Sequence, residues 1–191
     1  AYRLRPSEKN CVAQASGYMQ FNETEQAVDL LKECAGKYEK PTLSLFALAD
    51  VLITEKRYSQ AAEYLQQLIR LNPSHVIALN NLAWLKRDDD ITEALKYAAR
   101  AYRLAPESAE IADTYADLLV RSGERSKAMI IWGKFESSTE NPEILFHYAT
   151  ALVGEGKKER AGTILKRLQE LSPNYAERSE VRALINEGRR S

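Results

Sequence analysis

Small residues recur along this chain at fixed intervals, and leucine, tyrosine and phenylalanine fill helically spaced positions between them. Ala27, Ala61, Ala94, Ala128 and Ala161 stand 34, 33, 34 and 33 residues apart. A second ladder, Ala15, Ala49, Ala83, Ala116 and Ala149, is spaced 34, 34, 33 and 33. Pro6, Pro73, Pro106 and Pro173 are separated by 67, 33 and 67, which is one or two of the same periods. Whole segments return as well: Ala1-Tyr-Arg-Leu-Arg-Pro6 as Ala101-Tyr-Arg-Leu-Ala-Pro106, and Leu71-Asn-Pro73 as Leu171-Ser-Pro173. One period shared by independent ladders predicts stacked repeats. The register gives units at 8–41, 42–75, 76–108, 109–141 and 142–175, with 1–7 closing an earlier unit. A last amphipathic helix is expected over 176–187, with Val181, Leu184 and Ile185 on its apolar side. Helix starts agree with this register. Asn141-Pro142-Glu143 puts a capping residue before a proline at the first helical position, and Asp90-Ile-Thr-Glu93 reads as a capping box.

A unit of this length, with two small positions twelve apart and a terminal proline, resembles the tetratricopeptide repeat. The resemblance implies an all-α fold, a right-handed α-solenoid of antiparallel helix pairs. The alanines mark where paired helices cross most closely, and the proline ends the second helix because it cannot continue one. Gly123 and Gly156 fall in the turns between paired helices, where positive φ is needed. The fourth unit departs most. Thr139 replaces the proline, and Glu136-Ser-Ser-Thr-Glu-Asn141 is expected to be a looser link.

In arrays of this kind the first helices line a concave groove with their second, fifth, ninth and twelfth residues. The expected groove residues include Val12, Ser16 and Met19; Phe46, Asp50 and Ile53; Asn80, Trp84 and Arg87; Asp113, Asp117 and Val120; and Phe146, Thr150 and Val153. Large apolar groups beside aspartates suit a protein or peptide segment carrying apolar and basic side chains. Trp84 could equally be packing, and Asp113 and Asp117 read more readily as a solvated helix face than as cation ligands. The next row reads Ala13, Ala47, Asn81, Thr114 and His147 without accompanying lysines, unlike arrays that grip a C-terminal carboxylate. Stacked repeats need a cap at each end. The last helix supplies one, while the N-terminal flank has none, so a piece of a longer array that self-associates through that flank is expected.

Composition narrows the partner class. Lysine plus arginine and aspartate plus glutamate number 27 each, so no net field attracts nucleic acid or an anionic membrane. No apolar run is long enough for a membrane span. The two histidines, His75 and His147, stand beside no nucleophile at a motif spacing, and Gly154-Glu-Gly156 is a turn followed by no Lys-Ser/Thr at the offset of a phosphate loop. Catalysis, a cofactor and a metal site are therefore not expected. Cys11 and Cys34 are the only cysteines and would lie side by side in an antiparallel pair. A disulfide and two reduced, buried thiols both remain open.

A narrower resemblance rests on Ala78-Leu-Asn-Asn-Leu-Ala-Trp-Leu85, Ala98-Ala-Arg-Ala-Tyr-Arg-Leu-Ala-Pro106 and Pro142-Glu-Ile-Leu-Phe-His-Tyr-Ala149. These are similar to the C-terminal repeats of the tetratricopeptide protein of PEP-CTERM/exosortase exopolysaccharide systems, with Tyr115-Ala116 replacing the usual Leu-Gly pair. That resemblance implies a scaffold for surface-polysaccharide assembly or export in the periplasm or cell envelope of a bacterium. A cytoplasmic adaptor or co-chaperone, and the regulatory array of a larger enzyme such as a glycosyltransferase, are the alternatives.

Overall fold

The computed structural model describes residues 7–188, and these contain helices and no strand. The chain divides after Lys86 into two compact units. The first holds α1 (Glu8–Gln20), α2 (Thr24–Lys37), α3 (Thr42–Thr54), α4 (Tyr58–Leu71) and α5 (Val76–Lys86). The second holds α6 (Ile91–Leu104), α7 (Ala109–Arg121), α8 (Arg125–Gly133), α9 (Pro142–Gly154), α10 (Lys158–Leu171), α11 (Pro173–Ala176) and α12 (Ser179–Gly188). Within them α1 packs on α2, α3 on α4, α7 on α8 and α9 on α10.

Both alanine ladders are interior: no member is more than 2% exposed. A methyl group is all the space between crossing helices holds, so a larger side chain there forces them apart. Leucines complete the first core around Val28, Leu31, Leu48 and Leu52. The second core adds bulk, with Trp132, Tyr148, Leu145 and Leu165. Val181 at 0% and Leu184 and Ile185 at 8% exposure belong to it, so the apolar side of α12 is covered. That helix begins at Ser179, not at 176, because Pro173 opens the separate one-turn α11.

The helix ends follow local chemistry. Ser7, Asp90, Ser108 and Asn141 each accept a backbone N–H in the first turn of the helix they precede. The Glu93 carboxylate accepts from the Tyr97 hydroxyl at 2.9 Å. Gly123 and Gly156 turn the chain at φ 89° and 71°, and Asn22 and Lys56 do the same at 58° and 59° with side chains present.

The fourth second helix is short. α8 has 9 residues where α2, α4, α6 and α10 have 14. The link after it is tied down, contrary to the expectation of looseness. Phe135 and Thr139 are each 7% exposed. The Arg167 guanidinium donates to the carbonyls of Ser137 (3.0 Å) and Thr139 (2.8 Å), and also to that of Glu136. A charged five-donor fork holds a segment that has lost its helical bonds. Residues 1–6, on which the earlier unit and the self-association surface were expected, lie outside the described residues. No helix among the described residues is long and apolar enough to cross a membrane.

Candidate interaction surface

In the first unit, α3 and α5 present several large apolar residues to solvent. Trp84 is 38% exposed, Leu43 44% and Ile77 53%. Leu43 and Ile77 lie outside the set expected from sequence, although the register carries the signal: both hold the second helical position, 34 residues apart. Met19, Phe46 and Ile53 are half-buried, with Met19 and Ile53 packed against the core, and Asp50 is exposed. The Phe46 ring lies 5.0 Å from the His75 imidazole. His75 Nδ1 accepts from the Ala78 backbone N–H at 3.2 Å, which needs a neutral ring. Burial lowers its pKa, only partly opposed by a backbone hydrogen bond. Trp84 meets Tyr58 edge-on, with centroids 5.6 Å apart. Its ring is thus held by a neighbour on one side and exposed on another. Asn80 Oδ1 is enclosed without a hydrogen-bond partner.

The second unit differs in that both α7 aspartates have partners within the fold. Asp113 Oδ1 accepts from the Trp132 indole Nε1 at 2.6 Å, and its two oxygens lie 3.1 and 3.0 Å from His147 Nδ1. The Asp113 side chain is only 16% exposed. Asp117 is engaged by Arg121 Nε at 2.7 Å, and Arg121 also reaches Asp88 at 3.1 Å. The first carboxylate is neither a solvated face nor a free contact, and the second is already paired. Burial by itself would lower the His147 pKa, but the hydrogen bond to Asp113 and its charge, with Asp117 and Glu143, carry it above 6.5. Phe146 is half-buried 6.4 Å from Tyr175, and Thr150 is exposed with its hydroxyl donating to the Phe146 carbonyl at 2.8 Å. Among the described residues no three His, Cys, Asp or Glu side chains gather as a metal site would require.

The pairing of α1 and α2 brings Cys11 and Cys34 to a Cα separation of 6.4 Å, and they are disulfide-bonded. Of the two states the sequence left open, the bridged one is present.

Comparison with known proteins agrees with this architecture. The family model described as "Tetratricopeptide repeat" matches residues 46–109. No curated protein matches the sequence significantly. Among solved structures, a thermophilic TPR protein of Thermus thermophilus superimposes with a TM-score of 0.67 at 17% identity, covering 95% of this chain and 98% of that one. The pilF protein of Pseudomonas aeruginosa gives 0.72 at 19% identity, covering 95% and 88%. YrrB, described as a TPR protein with an unusual peptide-binding site, gives 0.73 at 14% identity, covering 95% and 91%. At these identities the likeness is one of fold, an all-helical tetratricopeptide solenoid.

Proposed function

We propose, from the premise that this chain is a tetratricopeptide-repeat protein, that it is a non-catalytic scaffold binding a partner polypeptide segment on its first-helix face. The observation that carries this is the exposure of Leu43, Ile77 and Trp84 on α3 and α5 of the first unit, positions that the repeat register assigns to the first-helix face. Leu48, Leu52, Leu79 and Leu82 of the same helices are fully buried, while Phe46, Ile53, Val76 and Leu85 are half-buried. Exposing several large side chains together has no folding benefit and suits recognition of apolar anchors. Phe46 and Ile53 continue the strip from half-buried positions, and Asp50 supplies the one expected carboxylate of the first unit. Taken by itself, the second unit offers Phe146 and Thr150 of α9 for such contact rather than the engaged Asp113 and Asp117. The peptide-binding site ascribed to YrrB is consistent with this mode of action.

The disulfide favours an oxidising compartment, since thiols are kept reduced in the cytosol. A periplasmic or envelope location is the reading that follows, and the resemblance of the 78–106 and 142–149 segments to exopolysaccharide-system repeats supports a role in exopolysaccharide assembly or export there. The test is affinity capture from periplasmic and cytosolic fractions with the wild-type chain beside an Ile77→Glu/Trp84→Ala variant. A specific periplasmic partner lost from a variant with an unchanged urea midpoint supports the proposal. Equal capture by both proteins removes the strip from recognition, and a cytosolic partner overturns the assignment of compartment.

A further inference from the structure

Where α8 ends early, a cavity of about 530 Å³ opens between α8 and the start of α10. Met129 and Ile130 of α8 and Leu152 of α9 give it an apolar floor and lip, while Lys134, Lys157 and Arg160 form its rim. Among the described residues no carboxylate lines it. Gly133 lines it as well, at a point where a Cβ would make ordinary contact with the Tyr148 hydroxyl at 3.4 Å and the Arg160 guanidinium at 3.8 Å. Ile130, at the lip, is 68% exposed.

The repeat register shows how unusual that isoleucine is. The residue two places after the ladder alanine is Asp29, Glu63, Lys96 or Thr163 in the other units, exposed and polar each time. Only the fourth unit puts a large apolar side chain at this solvated position, and it does so beside a cavity. A lone exposed isoleucine would carry no meaning. An isoleucine, an apolar floor and a cationic rim together describe a recognition surface. The cations are only partly neutralised locally. Arg160 pairs with Glu136 at 2.8 Å, Lys134 donates to the Tyr102 hydroxyl at 2.9 Å, and Lys157 makes no ion pair among the described residues. Two carboxylates, Glu136 at Arg160 and Glu107 near Lys134, therefore face three positive side chains.

We infer that this cavity is a second docking site, separate from the first-helix strip, for a partner-protein segment in which a large aliphatic side chain is flanked by aspartates or glutamates. The aliphatic group covers Ile130, Met129 and Leu152, and the flanking carboxylates meet Lys157 and Arg160. Such pairing of charge sets orientation and rejects basic segments by repulsion.

The test uses displayed libraries of short random peptides, selected on the wild-type chain and counter-selected on Ile130→Glu. The expected winners carry acids around an aliphatic residue. A synthetic winner should bind about tenfold more weakly to Ile130→Glu and to Lys157→Glu, and unchanged to Trp84→Ala, which perturbs only the first-helix strip. Both charge substitutions are at exposed positions, and unchanged urea midpoints confirm that each variant is folded. The proposal is overturned by basic or patternless winners, by affinity insensitive to both substitutions, by loss of binding on Trp84→Ala instead, or by no enrichment over the counter-selection.

Discussion

Replacing Asp113 by alanine separates the two roles that a carboxylate on α7 can have. In the structure it accepts from the indole of Trp132, a residue 2% exposed, and from His147. Hydrogen bonds to a charged acceptor contribute about 1.5–3 kcal/mol each, and a buried donor left without a partner costs about 1–3 kcal/mol. These terms overlap within one network and do not add. The Coulombic part of the contact with His147, a side chain 32% exposed, is screened by solvent and adds little. The expected loss is about 3 kcal/mol, most of it from stranding the indole N–H. Asp113→Asn keeps an acceptor for the indole and should cost about 1 kcal/mol. Urea unfolding at neutral pH, followed by Trp132 fluorescence in a Trp84→Phe background, measures both. The wild type should also show a pH dependence that both variants lack. The folded pKa of His147 lies above the ordinary 6.5, so its contribution is complete below pH 6.5 and is lost as pH rises through the folded value. An Asp113→Ala protein within about 0.5 kcal/mol of wild type, the range of an ordinary surface change, would refute this reasoning and return Asp113 to the binding surface.

Two further outcomes are expected. Reducing the Cys11–Cys34 bridge, which closes a loop of separation 23, should destabilise the first unit by about 3 kcal/mol on the chain-entropy estimate. Hydrogen exchange should then show protection lost in α1 and α2 and kept in α9 and α10, and uniform loss would contradict the local argument. The chain's two histidines should titrate on opposite sides of 6.5 by NMR, His75 below and His147 above. Titration of both together would show that at least one of the two environments is not as described.

The sequence by itself determined the properties that depend on spacing and on local backbone preference. The period, the two buried alanine ladders, the capping at Asp90 and Asn141 and the positive φ at Gly123 and Gly156 could be read because each needs only near neighbours or a repeated interval. Lys56 marks where that logic stops, since a lysine at φ 59° is held by the flanking helices against its own preference. Register also selected the helix positions that face outward, so Phe46, Trp84 and Phe146 were legible as candidates, and Leu43 and Ile77 followed from the same rule. What register could not supply was the partner of each polar group. Asp113 lies 19 residues from Trp132 and 34 from His147, and Arg167 reaches back 28 to the carbonyl of Thr139. The bridge between Cys11 and Cys34 is of the same kind. Only tertiary structure decided these, because spacing sets which way a side chain leaves its helix, whereas its bond depends on the neighbouring helix that packing brings within about 3 Å.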